Sequence, residues 1–388
     1  MRILVLHNLY QQPGGEDAVV VAEADLLRQA GHHVRVEYVD NASISSVAKR
    51  IKAFSHITFS EASRKHIRVI LKEFAPEIVH IHNFFPLLTY AAHKAAFDAG
   101  AGVVQTIHNY RPVCSGAYLS RRGVACEKCV IGSRLWGIYH RCYRGSLLGS
   151  IAVHRMQEYA FREEIWTKYT HQLIALTNFS RGKLIEAGFP SQRLAVKPNF
   201  IAADQSSVEG RRSGALFVGR LSPEKGVHHL LAAWEGIPEH NLIVVGDGPE
   251  RKKLEGAAPN NVRFLGFQDK DQVEKLMRAS SILVIPSIWY EGFPMALLEA
   301  FGNSLPVFCS RLGSLQELVD HGVTGELFEP GNPISMRQSI REALARPEYL
   351  RHLGTQALEV QRRRYSPKAN LEQLHSIYSK ALAMASMR

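Results

Sequence analysis

The sequence predicts an α/β protein made of two tandem units, each a parallel sheet between layers of helices. Three observations carry that prediction. The chain has 388 residues, and a single core rarely grows past about 250–300 residues. Both halves alternate short apolar runs with stretches of helical periodicity, the pattern of parallel sheets covered on both faces. A polar segment then separates two rounds of the alternation.

In the first half, strands are expected at 3–6, 33–38, 78–81, 103–107 and 173–176, with helices between them at 18–30 and 63–74, among others. The opening MRILVLHNLYQQPGGED has a short apolar run and no small-residue cleavage site, so it reads as a first strand rather than a signal peptide. No run of about 18 apolar residues suggests a membrane span, and a cytoplasmic location is expected. Residues 202–213 carry Asp204, Gln205, Ser206, Ser207, Glu209, Gly210, Arg211 and Arg212, which suits a linker. The alternation restarts with strands at 215–218, 242–245, 262–264, 282–285 and 306–309. Helices are expected at 226–234, 272–279, 294–302 and 335–345. In 368–385, Leu371, Leu374, Ile377, Tyr378, Ala381, Leu382 and Ala385 recur at helical spacing. This terminal helix needs a partner surface.

Parallel α/β sheets bind ligands beyond the carboxyl ends of their strands, so the residues after each strand are the candidates. Three strands of the first half run into the same dipeptide: His7-Asn8, His82-Asn83 and His108-Asn109. One such histidine is commonly a packed structural residue, whereas three converge on one rim. The first strand also leads into Pro13-Gly14-Gly15-Glu16-Asp17. Paired glycines either form a plain strand–helix turn or let N–H groups approach a phosphate at a helix N-terminus.

In the second half, the strand at 215–218 is followed by Gly219-Arg220 and Glu224-Lys225-Gly226. A guanidinium fork and a point charge before a helix suit a diphosphate; the alternative is two solvated cations. The next strand runs into Gly246-Asp247-Gly248-Pro249. Farther on comes Glu291-Gly292-Phe293-Pro294-Met295-Ala296, with Glu299 inside the helix that Pro294 opens. The two carboxylates can reach different parts of one extended ligand, or serve as a loop charge and a solvated helix face. The first-turn N–H groups of that helix can hold hydroxyls or phosphates.

Cys114, Cys126, Cys129 and Cys142 lie in one short stretch, with Cys126 and Cys129 in C-x2-C spacing. Disulfides are rare in the cytosol, so the spacing predicts a structural zinc site. A disulfide pairing or buried thiols are the alternatives, and His140 can replace one thiolate. Cys309 stands alone after a strand and is expected in the core. Arg121, Arg122, Lys128, Arg134, Arg141 and Arg144, with Trp136, Tyr139 and Tyr143 among them, make the cysteine loop a candidate acceptor or membrane surface. A second basic stretch, 49–72, holds Lys49, Arg50, Lys52, Arg64, Lys65, Arg68 and Lys72. It can lie on anionic lipid or be a solvated helix face.

The net charge is +11 and the pI about 9.4, which suits either an anionic partner or a basic solubilising surface. A basic nucleic-acid-binding protein is an alternative that nothing in the sequence supports: there is no aromatic RNA platform, no helix-turn-helix and no basic tail. A dinucleotide oxidoreductase lacks its full glycine fingerprint and leaves Arg220, Lys225, Glu291 and Glu299 unexplained.

Gly219-Arg220, Glu224-Lys225-Gly226, Gly246-Asp247-Gly248-Pro249 and Glu291-x7-Glu299 together resemble the retaining family 4 glycosyltransferases of the GT-B fold. The likeness extends over nearly the whole chain, through Gly14-Gly15, Pro198-Asn199 and Gly322-x-x-Gly325. Gly-Gly-Glu-Asp, Val-His-Ile-His-Asn and Ile-His-Asn-Tyr-Arg look like the branch that builds bacterial surface polysaccharides. The resemblance implies two Rossmann-like domains facing a central cleft. It implies an acceptor-binding domain over 1–201 with a cysteine-rich insertion at 114–142, and a nucleotide-sugar-binding domain over 202–366. A terminal helix, 367–388, then crosses back to the first domain. The implied donor is a UDP- or GDP-sugar, and the acceptor a glycan or a polyprenyl-diphosphate-linked glycan. The site would be peripheral on the inner face of the membrane.

By the same resemblance Arg220 and Lys225 neutralise the donor diphosphate, helped by the N–H of Gly15 after Gly14, with Gly246 beside them. Glu299 accepts from the ribose hydroxyls. Glu291 and the backbone of Gly292, Phe293, Pro294, Met295 and Ala296 hold the donor sugar. His108 sits at the reacting centre, with His82, Asn83 and Asn109 on the acceptor side. No catalytic metal is implied, and configuration is retained by a same-face displacement. A nucleotide-sugar epimerase or hydrolase on the same fold is the alternative, separated by whether product forms from the nucleotide sugar alone.

Overall fold

The structure is a computed structural model that describes residues 1–9, 14–44, 46, 51, 53–202 and 212–387. Pro13, Lys49, Arg50, Lys52 and the linker residues Asp204, Gln205, Ser206, Ser207, Glu209, Gly210 and Arg211 lie outside these residues. Arg212 and Ser213, expected as linker, are anchored. The Arg212 guanidinium donates to the carbonyls of Ser280 (3.3 Å) and Asn303 (2.5 Å), and the Ser213 N–H donates to Ala279.

The chain divides into two compact units. The first comprises Met1–Leu119, Cys126–Asn199 and Asn370–Arg388; the second comprises Ser120–Ala125 and Phe200–Ala369. Along the first part of the chain run β1 (Arg2–Leu9), β2 (His33–Asp40), β3 (Ile78–Asn83), β4 (Gly102–Ile107), β5 (Ser120–Arg121), β6 (Val124–Ala125), β7 (Gln172–Ala175) and β8 (Leu194–Val196). The sheet of the first unit has the order β2-β1-β3-β4-β7-β8, all parallel. β3 and β4 are buried along their whole length, so the polar residues within them, His80, His82, Asn83, Gln105 and Thr106, are out of water as well. β5 and β6 form a small antiparallel hairpin inside the cysteine loop.

Helix Gly15–Gln29 turns Val19, Val20, Ala24 and Leu27 inward. The terminal helix, Pro367–Ser386, buries Leu374, Ile377, Tyr378 and Ala381 against Ile3, Val5, Val20, Leu27, Ile78, Val104 and Ile174. The partner surface that its apolar stripe requires is therefore in the first unit, as the resemblance implies. Each fully buried aliphatic side chain of this kind stabilises by about 1.5–3 kcal/mol.

The second unit holds β9 (Ala215–Val218), β10 (Leu242–Val245), β11 (Val262–Gly266), β12 (Ile282–Ile285), β13 (Val307–Ser310) and β14 (Gly325–Phe328), in the order β11-β10-β9-β12-β13-β14. All pairs are parallel. The strand order reverses between β9 and β12, a topological switch point where open α/β sheets bind ligands. Phe217, Leu230, Trp234, Val244, Val284, Phe308 and Met336 are among the side chains that fill its core. β8 and β14 were not expected as strands. Each is a short edge strand of three or four residues, registered by β7 and β13 alone.

Candidate active site

In the second unit, β9 ends in Gly219-Arg220 and a turn through Pro223–Lys225. The turn is clamped from both sides. Gly226 adopts φ +69°, and a Cβ there would lie 2.1 Å from the carbonyl oxygen of Pro286, so only glycine permits this approach. The N–H of Ile288 donates to the Glu224 carbonyl. The segment after β12 is thereby held against the turn after β9. Lys225 Nζ then meets Glu291 Oε1 at 2.8 Å. The same oxygen accepts from Ser287 Oγ at 2.6 Å and Trp289 Nε1 at 3.2 Å. Ser287, Trp289 and Glu291 stand two residues apart in the loop after β12, a signal the sequence reading passed over.

Glu291 is buried, and its Oε2 has no partner among the described residues. Lys225 is therefore ion-paired rather than open, while Arg220 is exposed and makes no side-chain hydrogen bond or ion pair among the described residues. Gly246, at φ +130°, would place a Cβ 1.9 Å from the carbonyl oxygen of Gly219. Its role is to let the end of β10 pass against the residue before Arg220. Helix Met295–Gly302 starts behind Pro294. Phe293 is buried and packs edge-on against Tyr365, so its side chain belongs to the core. Glu299 is half-buried, with no hydrogen-bond partner for its carboxylate among the described residues. Burial raises its pKa, and Glu274 adds to this against Lys270. An open guanidinium, an ion pair and an open carboxylate thus share one rim of one sheet.

In the first unit, His7, His82 and His108 follow or end β1, β3 and β4, which are neighbours in the sheet. His82 and His108 stack with centroids 5.2 Å apart, and His7 meets His82 at 6.4 Å. His82 Nδ1 lies 3.0 Å from His108 Nε2. Asp17 receives His7 Nε2 at 2.7 Å and caps the helix by accepting from the Gly14 N–H at 2.8 Å. Gly14 is the N-cap and Gly15 the first helical residue. The asparagines do other work. Asn83 donates to the Asn8 carbonyl and accepts from the Phe85 N–H, and Asn109 accepts from the Arg111 N–H. In the structure Asn83 and Asn109 brace backbone turns.

Beneath the histidines lies a group the sequence reading missed. Glu23 Oε2 accepts from Lys197 Nζ at 2.7 Å, both side chains being almost wholly buried. Glu23 Oε1 faces His80 Nδ1 at 3.3 Å and His82 Nε2 at 3.4 Å. Glu23, His80 and His82 are the group of three at metal-ligand spacing among the described residues. They do not suit a cation. Lys197 already neutralises the carboxylate, and both ring nitrogens of His80 are engaged, by Tyr378 Oη and Thr106 Oγ1, each at 2.8 Å.

The four cysteines are free thiols. Burial, then Cys114, Cys142 and Cys126, push the Cys129 thiol up to about 12. Cys114 and Cys129 are buried and Cys126 and Cys142 partly buried, and the action of the other three on the Cys129 thiol places all four in one neighbourhood of the loop. Cys309 is buried in β13 as expected. In helix Glu61–Phe74, Arg64 and Arg68 pair with Asp98, and Arg64 also with Glu61. This favours the solvated-face reading.

The model of the family described as "Glycosyltransferase Family 4" matches residues 13–205, and that described as "Glycosyl transferases group 1" matches 202–360. An uncharacterized glycosyltransferase of Methanocaldococcus jannaschii is 37% identical over 155 residues, covering 39% of this chain and 44% of the relative. The match thus spans less than half of that relative's length. A GDP-mannose-dependent alpha-mannosyltransferase of Corynebacterium glutamicum is 24% identical over 328 residues, covering 84% of this chain and 71% of the relative. HepE of Anabaena, solved in complex with UDP and glucose, superposes with a TM-score of 0.69 at 20% identity, covering 98% of this chain and all of HepE. The chain belongs to the glycosyltransferases of the GT-B fold.

The buried histidines make stability depend on pH. Burial holds His80 and His108 well below the usual 6.5, lowers His82, and lowers His93 to about 3. The unfolded chain binds these protons near pH 6.5 and the folded chain does not, so stability falls as pH drops below about 6.5. Each such histidine contributes about 1.4 kcal/mol per pH unit. Glu23 is held well below 4.5, since Lys197, His82 and His80 outweigh burial. Its contribution is lost in the same direction, at lower pH. Thermal melts should be flat above about pH 7 and shift steeply downward between pH 6.5 and 5. A Tm unchanged across that window would show that the histidines protonate within the fold.

Proposed function

We propose that this chain is a retaining glycosyltransferase that moves a sugar from a UDP- or GDP-sugar onto a hydroxyl of a glycan or a polyprenyl-diphosphate-linked acceptor. Synthesis of a bacterial surface polysaccharide is the setting. The observation that carries this reading is the rim of the second unit, where Arg220 and Glu299 lack partners and Lys225 is held by Glu291. A nucleoside diphosphate has anionic oxygens for the first and ribose hydroxyls for the second.

The bond from the anomeric carbon to the diphosphate oxygen breaks while a bond to the acceptor oxygen forms on the same face. The acceptor proton passes to the departing phosphate oxygen. Arg220 and Lys225 stabilise the charge that develops on the leaving diphosphate, the largest contribution an enzyme can make to such a step. As the diphosphate takes Lys225, Glu291 is released to accept from sugar hydroxyls. The Gly15 N–H adds a helix-start donor for phosphate, and His108 acts on the acceptor side. The reaction requires no divalent metal, because side-chain cations do that work. The donor named for the Corynebacterium relative and the UDP bound to HepE support a nucleotide sugar of one of these two bases.

Arg220→Ala should weaken nucleoside-diphosphate binding and reduce turnover by about 10²-fold or more. Glu299→Ala should mainly weaken nucleotide binding, whereas Glu291→Gln should lower transfer while plain UDP or GDP still binds. Calorimetric titration with the nucleotide beside a transfer assay separates these effects. Equal loss of nucleotide affinity in both glutamate variants would refute the division of roles.

Between Glu127 and Glu158 the chain has no acidic residue but carries Lys128, Arg134, Arg141, Arg144 and Arg155. Ile131, Leu135, Trp136, Tyr139, Leu147 and Leu148 are exposed in the same stretch. No helix among the described residues is long and apolar enough to cross a membrane. This stretch has the composition of a surface that rests on anionic lipid. The protein should co-sediment with vesicles containing phosphatidylglycerol, less so at high salt, and Leu148→Glu should reduce the bound fraction. Binding to neutral vesicles alone, or to none, would contradict the assignment.

A further inference from the structure

The donor chemistry does not use the buried group beneath the histidine rim, yet that group determines where hydrogens sit on the rim. Lys197 Nζ has only donors, and it is 2.7 Å from Glu23 Oε2. The carboxylate of Glu23 is therefore ionised and can only accept. Its other oxygen, Oε1, and His82 Nε2 are both buried, make no close hydrogen bond, and face each other at 3.4 Å, with His80 Nδ1 at 3.3 Å from the same oxygen; two facing lone pairs would repel. Of the two ring nitrogens of His82, Nε2 must then carry the hydrogen. Burial keeps His82 neutral, so its Nδ1 is a lone pair. That lone pair lies 3.0 Å from His108 Nε2, which must donate to it. His108 is neutral as well, held so by burial and by His82 and His7. Its one ring hydrogen is committed to Nε2. The remaining nitrogen, Nδ1, has no partner among the described residues, and the residue is largely buried with a minor part open to solvent.

We propose that Glu23 is a positioning residue that sets the tautomer of His108 through His82, so that His108 presents a bare Nδ1 acceptor toward solvent and substrate. An acceptor recognises a hydroxyl; a ring N–H or an imidazolium recognises an oxyanion or a carbonyl. Resting on the transferase reading, Nδ1 accepts a hydrogen bond from a substrate hydroxyl and orients that oxygen. It does not compete with Arg220 and Lys225 for phosphate. Because Lys197 fixes the ionisation of Glu23, the assignment is fixed at three successive contacts, Lys197–Glu23, Glu23–His82 and His82–His108.

The tautomer can be read directly in the intact protein. In full-length chain labelled with 15N-histidine, long-range 1H–15N correlation distinguishes protonated from bare ring nitrogens. His82→Gln and His108→Gln identify the two sets of signals. At pH 7.5 both rings should carry their hydrogen on Nε2. Glu23→Gln supplies the converse. Lys197 retains the amide oxygen, which leaves the NH2 group facing His82 Nε2. His82 should then move its hydrogen to Nδ1, and His108 should follow by moving its own to Nδ1. A wild-type His108 with hydrogen on Nδ1 would overturn the proposal. So would an unchanged His108 tautomer in a folded Glu23→Gln variant. If that variant fails to fold, the wild-type tautomer alone decides. Full transfer by His108→Ala would instead contradict the role of His108 in transfer and leave the tautomer assignment standing.

Discussion

Every strand of a parallel sheet delivers its carboxyl end to the same edge, and that constraint organises the chemistry of this protein. Within each unit the chain has several strand ends side by side, and whatever follows them is gathered on one rim. In the first unit β1, β3 and β4 are adjacent, so His7, His82 and His108 meet although some 25 to 75 residues separate them. In the second unit β9 and β12 are adjacent across the switch point, so Lys225 reaches Glu291. The backbone contacts of Gly226 with Pro286 and of Gly246 with Gly219 bring the turns closer than a side chain would allow. The polar groups are thus pre-positioned by backbone packing, which lowers the reorganisation needed when charge develops.

The two rims are built by different physics. In the second unit, a partly exposed Lys225 ammonium is held by the buried Glu291 carboxylate, with the exposed Arg220 on the same rim. In the first, Glu23 and Lys197 are out of water, where desolvation offsets much of the attraction between them. A well-packed apolar pair would stabilise this position as well or better. The property we assign to the ion pair is directional: it commits hydrogens at His82 and His108, while the hydroxyls of Tyr378 and Thr106 engage both ring nitrogens of His80.

Much of this was legible in the sequence, for physical reasons. Strands buried on both faces leave unbroken apolar runs, as at Ile3–Leu6 in β1 and in β12. The amphipathic stripe of the terminal helix showed that it needed a partner surface. The repeated His-Asn after three strands pointed to one rim. The rest depended on tertiary geometry. Nothing local distinguishes Asn8, Asn83 and Asn109, which brace backbone, from their histidine neighbours. Glu23 lies on a helix face with Val19, Val20, Ala24 and Leu27, and its partner Lys197 follows a three-residue edge strand that itself gave no periodic signal. The C-x2-C spacing of Cys126 and Cys129 shows that two sulfurs can approach, but the position of Cys114 and Cys142 is decided by how the loop packs.

The proposed transfer requires that the second unit bind a nucleoside diphosphate. The most direct measurement is the stability of the wild-type protein in UDP, GDP and NAD+, each titrated to saturation. A ligand present at about 100 times its Kd stabilises the fold that binds it by about 2.7 kcal/mol. UDP or GDP should raise the unfolding free energy by that order, and NAD+ should leave it unchanged. Stabilisation by NAD+ with no effect of either nucleoside diphosphate would contradict the account.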